Sequence, residues 1–196
     1  MNKILILYYS SNGSTKKLAQ LVARGVEEQG CEALLRTVPH ISANTKATES
    51  EIPEQGDCYA SIQELAECDG LAVGSPTRFG NMAAPLKYFI DQTSSIWMSG
   101  ELSGKPVTFF SSSSSMHGGQ ESTLLTMMIP FLHHGMIISG IPYSETQLVH
   151  TQSGGTPYGV THWAGKDNDK VISDSEKKLA IAQGKRIAIL ANKLKD

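Results

Sequence analysis

Short apolar runs alternate along this chain with longer segments whose apolar positions recur at helical spacing. Ile4-Leu5-Ile6-Leu7 reads as a buried strand. Residues 15–29 follow as a helix, with Leu18, Leu21, Val22 and Val26 on one face and Gly30 as its C′ residue. A second strand is expected over 32–38, near the sheet edge because charges flank it. Residues 61–67 read as a short helix and 70–74 as another buried strand. A helix over 83–93 turns Leu86, Phe89 and Ile90 inward, with Pro85 acceptable in its first turn. Pro106 to Phe110 is the next strand. A helix over 120–134, with Pro130 expected to kink it, ends at Gly135. Met136-Ile137-Ile138 reads as the last buried strand. Ser173 and Glu176 form a capping-box pattern opening a final helix, on which Ala180, Gly184, Ile187, Ala191 and Leu194 share a face.

Strands that alternate with helices imply an α/β fold, a parallel sheet covered on both faces. No repeat or linker interrupts the 196 residues, so one domain is expected. Two excursions, 39–60 and 141–169, are too long and too polar for simple connections and are expected to build subunit contacts or lids.

Composition narrows the function classes. A formal net charge of -2 without a basic block argues against nucleic acid as the main ligand. No apolar run is long enough to span a bilayer, and the first apolar run is too short for a signal peptide, so a cytoplasmic location without stable membrane insertion is expected. The cysteines, Cys31, Cys58 and Cys68, are odd in number and form no CxxC pair; they read as ordinary thiols. No residues show metal-ligand spacing, and no nucleophile–base pair is evident.

The chemistry concentrates in three strand-to-helix loops, 10–15, 76–82 and 112–120. All leave the carboxyl ends of strands, where open α/β sheets bind ligands. The first is Ser10-Ser11-Asn12-Gly13-Ser14-Thr15, a strand followed by hydroxyls, a Gly and a helix N-terminus. That is an anion site, since backbone N–H groups and the positive helix end converge there. It lacks the Lys of a Walker A loop and the glycines of a dinucleotide fingerprint. Its hydroxyls suit a single terminal phosphate monoester. The second loop sets Arg78 beside Phe79, a pairing able to cover a planar ring and hold an anion. The third, a run of serines leading to Gly118-Gly119, can wrap a ligand through hydroxyls and N–H groups. A crevice this elaborate without a catalytic pair implies a cofactor that carries the chemistry.

Several blocks closely resemble the WrbA family of NAD(P)H:quinone oxidoreductases. They are Tyr8-Tyr9-Ser10 with Gly13, the run from Gly74 to Met82, His117-Gly118-Gly119-Gln120-Glu121, His133-His134-Gly135-Met136 and Gly154-Gly155-Thr156-Pro157-Tyr158-Gly159. The resemblance implies a flavodoxin-like three-layer sandwich with a five-stranded parallel sheet in the order 2-1-3-4-5. It also implies bound FMN, NADH or NADPH as electron donor, quinone substrates and a homo-oligomer, a tetramer. Carried over by position, Ser10, Ser14 and Thr15 hold the FMN phosphate with the backbone of Ser11, Asn12 and Gly13. Pro76, Thr77, Arg78, Phe79 and Gly80 border the flavin ring. Ser112, Ser113, Ser114, Ser115, Met116, His117 and Gly118 wrap its pyrimidine side. Trp97 walls the substrate pocket, His133 faces flavin or substrate from the same or a neighbouring subunit, and Tyr143 reaches a neighbour's pocket. Arg78, Trp97 and His133 are thus the expected catalytic residues. Asn12 departs from the family, where an aromatic or His at that position meets the nicotinamide nucleotide. The serine run at 111–115 replaces a version richer in Gly and Thr.

The implied reaction is a two-electron, ping-pong hydride transfer that reduces quinones to hydroquinones. The alternative is a flavodoxin-type FMN electron carrier. Carriers place acids around the flavin, whereas loops one and three here have none and Arg78 stands in loop two.

Overall fold

The computed structural model of the chain describes residues 1–42, 53 and 55–195. In order they form β1 (Lys3–Tyr8), α1 (Ser14–Glu27), β2 (Glu32–Thr37), α2 (Ile62–Glu67), β3 (Gly70–Pro76), α3 (Ala84–Asp91), α4 (Ser94–Met98), β4 (Pro106–Ser113), α5 (Gln120–His133), β5 (Ile137–Ile138), α6 (Gln147–His150), β6 (Val160–Trp163) and α7 (Asp174–Leu194). The strands are parallel, in the order β2-β1-β3-β4-β5. This is the flavodoxin-like order.

Alternation along β1 assigns the two layers. Leu5 and Leu7 pack with Leu71, Val73 and Phe109 beneath α2, α3 and α5. Ile6 and Tyr8 face the other way, with Ala72 and Phe110, into α1 and α7. All five of these β1 and β4 hydrocarbon side chains, Leu5, Ile6, Leu7, Phe109 and Phe110, are fully buried. Two glycines set the depth of the α1–α7 contact. A Cβ on Gly184 would lie 2.0 Å from the Val22 carbonyl oxygen, and one on Gly25 would lie 2.0 Å from that of Ile181. The helices cross backbone to backbone there, and any larger side chain must push them apart.

The far edge of the sheet departs from the sequence reading. β5 is not the last buried strand. It has two residues, pairs only with Pro106 and Val107 at the start of β4, and leaves Ile137 43% exposed. A sixth segment, β6, lies inside the expected excursion 141–169 and pairs with Phe110–Ser113 at the other end of β4. The fifth strand position is therefore shared by two pieces, with residues 139–159 looping out between them. A four-residue strand behind the glycines at 154, 155 and 159 has too short a pattern to stand out, although Val, Thr and Trp are good strand formers.

The capping box at Ser173 and Glu176 is formed, and a second opens α2 at Ser61 and Glu64. On α7, Ala180, Gly184, Ile187 and Ala191 are buried, but Leu194 is 44% exposed because the helix has run past the sheet. Much of the excursion 39–60 lies outside the described residues; at its end Tyr59 bridges to Thr37. Cys31 and Cys68 are buried and Cys58 is exposed, all as free thiols. Burial pushes the Cys68 thiol up to about 12, so it is inert. No helix among the described residues is long and apolar enough to cross a membrane.

Candidate functional site

Because β1, β3 and β4 run parallel, their carboxyl ends open at one edge of the sheet and deliver the three loops together. The first loop is shaped by Gly13, the N-cap of α1, at φ 87. A side chain would strain that left-handed backbone, and only there does the chain turn directly into the helix. The N–H groups of Gly13 and Lys16 both donate to the Ser10 hydroxyl oxygen, at 3.1 and 3.3 Å. Those of Ser14 and Thr15 have no intrahelical acceptor, by helix geometry, and lie at the positive end of the helix.

The second loop is held in two ways. The Ser75 hydroxyl accepts from Ala83 N–H, and Thr77 N–H donates to the Ser112 carbonyl at 2.9 Å. Arg78 and Asn81 exchange both backbone hydrogen bonds across Phe79 at φ 52 and Gly80 at φ 74. Two central residues at positive φ make this a turn of the I′ kind, which favours Asn or Gly at its first central position. Phe79 occupies it instead, strained and with its ring wholly exposed. Arg78 reaches back to the first loop and donates to the Ser11 hydroxyl at 2.8 Å.

The third loop is shorter than the sequence suggests, because β4 runs on to Ser113 and makes Ser111, Ser112 and Ser113 buried strand residues. The Ser112 and Thr15 hydroxyls meet at 2.8 Å, tying strand to helix. The Gln120 amide donates to the Ser113 hydroxyl.

A cavity of about 230 Å³ opens where these loops meet. Of the expected cofactor residues, Ser10, Ser11, Asn12, Ser14, Thr15, Pro76, Thr77, Arg78, Ser112, Ser113 and Ser114 line it. Gly13 shapes it from the N-cap and borders the adjoining basin. Phe79, Gly80, Ser115, Met116, His117 and Gly118 do not line it; Met116 and His117 face a separate hollow at the start of α5. Trp97 and His133 also stand outside it. They pair with each other, the Trp97 indole N–H donating to the His133 carbonyl at 3.1 Å with ring centroids 5.7 Å apart. The neighbouring His134 accepts or donates a bond at Thr93, and burial, then the charge of His133, hold its imidazole below the usual range. Its bond to Thr93 and its packing on Phe131 give it a structural role.

Sequence reading missed a fourth wall, supplied by Ala164, Gly165, Lys166 and Asn168 in the turn after β6. The signal was present in the polar Gly-Lys-Asp-Asn-Asp run. Only the pairing of β6 with β4 brings it beside residues more than 150 positions earlier. Asn168 is seated at φ 57. Its amide donates to the Asn12 carbonyl at 2.6 Å, and its oxygen accepts from Ser14 at 2.5 Å.

Beneath this wall is a buried polar knot. One Glu176 oxygen accepts from the N–H groups of Gly154 and Trp163; the other accepts from Ser173 N–H and from the His162 ring nitrogen at 3.0 Å. Burial by itself would raise the Glu176 carboxyl, but the bonds from His162, Ser173 and Trp163 outweigh it and hold the group below its ordinary value.

Chemically, the cavity offers a helix N-terminus, several hydroxyls and two cations, Arg78 and Lys166, and no carboxylate among the described residues lines it. That donor set fits a phosphate monoester. A family model for NADPH-dependent FMN reductases matches residues 2–147. The chain belongs to the NADPH-dependent FMN reductase family. It is therefore an oxidoreductase of a flavodoxin-like, FMN-binding kind, and the phosphate cradle is consistent with that cofactor. Solved structures share the fold. One is a WrbA-like flavodoxin from Agrobacterium tumefaciens, 21% identical over the whole of both chains with a TM-score of 0.70. Another is a flavodoxin from the domain Archaea, 19% identical over 99% of each chain with a TM-score of 0.64. A third is the oxidised flavodoxin 2 of Bacillus cereus, 18% identical over 97% of this chain and 98% of that one, with a TM-score of 0.59.

Proposed function

We propose that this family member is an FMN-dependent NAD(P)H:quinone oxidoreductase of the WrbA kind. The observation that carries the reading is the cradle: hydroxyls and N–H groups at the anchor, with Arg78 and, among the described residues, no acid lining the cavity. Bound there, FMN would supply the two-electron hydride chemistry. Ser10, Ser14, Thr15 and the first turn of α1 hold its phosphate. Arg78, which donates across the cavity to the Ser11 hydroxyl, would offer positive charge to the bound cofactor. Phe79 and Trp97 offer flat apolar surface suited to quinones, and His133 stands beside Trp97.

A homo-oligomer, a tetramer by the resemblance, is part of this proposal. Leu125, Ile129 and Leu132 fall on one stripe of α5 and are each more than two-fifths exposed, as are Trp97, Met98 and Tyr143. Such a surface supports assembly, through which a second copy brings Trp97, His133 or Tyr143 to the cradle of the first. A cytoplasmic location belongs to the same reading.

The flavodoxin-type carrier is the competing reading, supported by the likeness to flavodoxins. Steady oxidation of NADH or NADPH with benzoquinone by the FMN-loaded protein decides between them. Turnover in a preparation that light scattering shows to be oligomeric is the expected result. No oxidation of either nucleotide, with FMN bound, favours the carrier.

A further inference from the structure

We propose that the turn after β6 is the charged wall of the cofactor-phosphate site, and that Lys166 within it selects flavin phosphate over unphosphorylated flavin. The inference rests on FMN being the cofactor and adds to that reading a residue that neither the three loop motifs nor the resemblance includes.

Three observations support it. First, Lys166 lines the same cavity as Ser10, Ser14 and Thr15, at the N-terminal end of α1. Arg78 shares that cavity but its guanidinium is committed to the Ser11 hydroxyl and the Thr77 carbonyl. Among the described residues, Lys166 has no carboxylate within ion-pair distance. Its neighbours Asp167 and Asp169 flank it in sequence but line no part of the cavity.

Second, the turn is fixed in place rather than loose. Ala164 N–H donates to the Ser113 carbonyl at 2.8 Å, and Lys170 N–H donates to the Ala164 carbonyl at 3.0 Å. The Lys170 ammonium sits 3.8 Å from the Trp163 ring centroid, and that indole N–H donates to the Ser114 carbonyl. Asn168 then clamps the turn to the phosphate loop through Asn12 and Ser14. An exposed lysine on a wandering loop would hold an anion weakly. The turn's hydrogen bonds to the first and third loops fix the backbone from which the exposed Lys166 side chain extends beside the cavity.

Third, the charge balance needs it. A phosphate monoester carries close to two negative charges near neutral pH. Hydroxyls and N–H groups solvate that charge, and a helix end offsets only about half a unit of it. An ammonium at the wall supplies the compensating charge and is most effective toward the dianion.

The test compares FMN and riboflavin binding to flavin-free protein by quenching of flavin fluorescence, at low and high salt. Lys166→Ala is expected to weaken FMN about tenfold, leave riboflavin within about twofold, and flatten the salt dependence of FMN binding; Lys166→Arg recovers most of the loss. Lys177→Ala, an equal change of net charge on the exposed side of α7, leaves both affinities unchanged. Equal weakening of the two flavins by Lys166→Ala, or no weakening of FMN, overturns the inference while the FMN reading stands. Riboflavin bound by the native protein as tightly as FMN does the same. Native protein that binds neither flavin overturns the FMN reading, and this inference with it.

Discussion

The two ends of the candidate site are built in opposite ways. At the phosphate end, one chain supplies every wall. Ser10 and Thr15, Ser112, and Asn168 come from three distant parts of the sequence and are already hydrogen-bonded to one another or to neighbouring backbone. At the ring end, aromatic groups stand in water. Phe79 is held at positive φ with its ring fully exposed, Trp97 is 44% exposed, and neither lines the cavity. A preorganised polar cradle loses little entropy when its anion arrives. Exposed rings gain only when something covers them. The anchor is thus a product of this chain's own fold, while the aromatic groups expected at the ring end stay exposed in it.

The largest test of this contrast acts on the frame behind the anchor. Gly184→Val forces α1 away from α7 and displaces the first turn that carries the phosphate N–H groups. The expected loss is at least about 3 kcal/mol of folding stability, seen as a lowered urea midpoint, together with loss of FMN binding. Retained FMN affinity would mean that the cradle does not depend on the depth of that crossing.

The next test acts on the knot under the fourth wall. Glu176→Ala strands the donors of Gly154, Ser173, Trp163 and His162 and is expected to cost about 3 kcal/mol. The same group predicts an acid limit. Its folded-state value lies below that of the unfolded chain, so its stabilisation is complete above about pH 4.5 and fades as pH falls through the lowered value. Glu176→Gln should flatten the fall in stability on the acid side of pH 4.5 in denaturant titrations. A native-like acid slope in that variant would mean that other carboxylates dominate.

The smallest effect, and the most telling for the ring end, is Phe79→Asn. Asn suits the first central position of an I′ turn, so relief of the left-handed strain should raise stability by about 1 kcal/mol, read in thermal melts. Quinone turnover should fall at the same time, since the exposed ring is lost. Lower stability in this variant would show that the ring serves folding after all.

Much of this protein could be read from its sequence, and the limits have physical causes. The strand runs at 4–7, 70–74 and 106–110 are continuous and apolar because those strands are buried on both faces, and that signal is local. So is the capping box at Ser173 and Glu176, which spans one helical turn. Gly13 and the hydroxyls around it mark an anion loop because strand, turn and helix N-terminus are contiguous in the chain. The extent of the third loop was misread because Ser111 to Ser113 look like loop residues. They are strand residues because β6 pairs with all three, and Ser75 and Pro76 pair with Ser111 and Ser112 on the other side.

What only the tertiary structure decided is what depends on distant pairing. β6 carries a four-residue pattern too weak to announce itself, and it becomes a strand through the open edge of β4. That pairing places Asn168 against Ser14 and Lys166 beside the same cavity, a juxtaposition no local spacing encodes. It also buries His162 against Glu176, turning a helix cap into the knot that fixes the wall. Local hydrogen bonds and apolar periodicity write themselves into contiguous residues. The completed anion cradle depends on loop ends that meet only once the sheet has formed, so its last wall belongs to the fold.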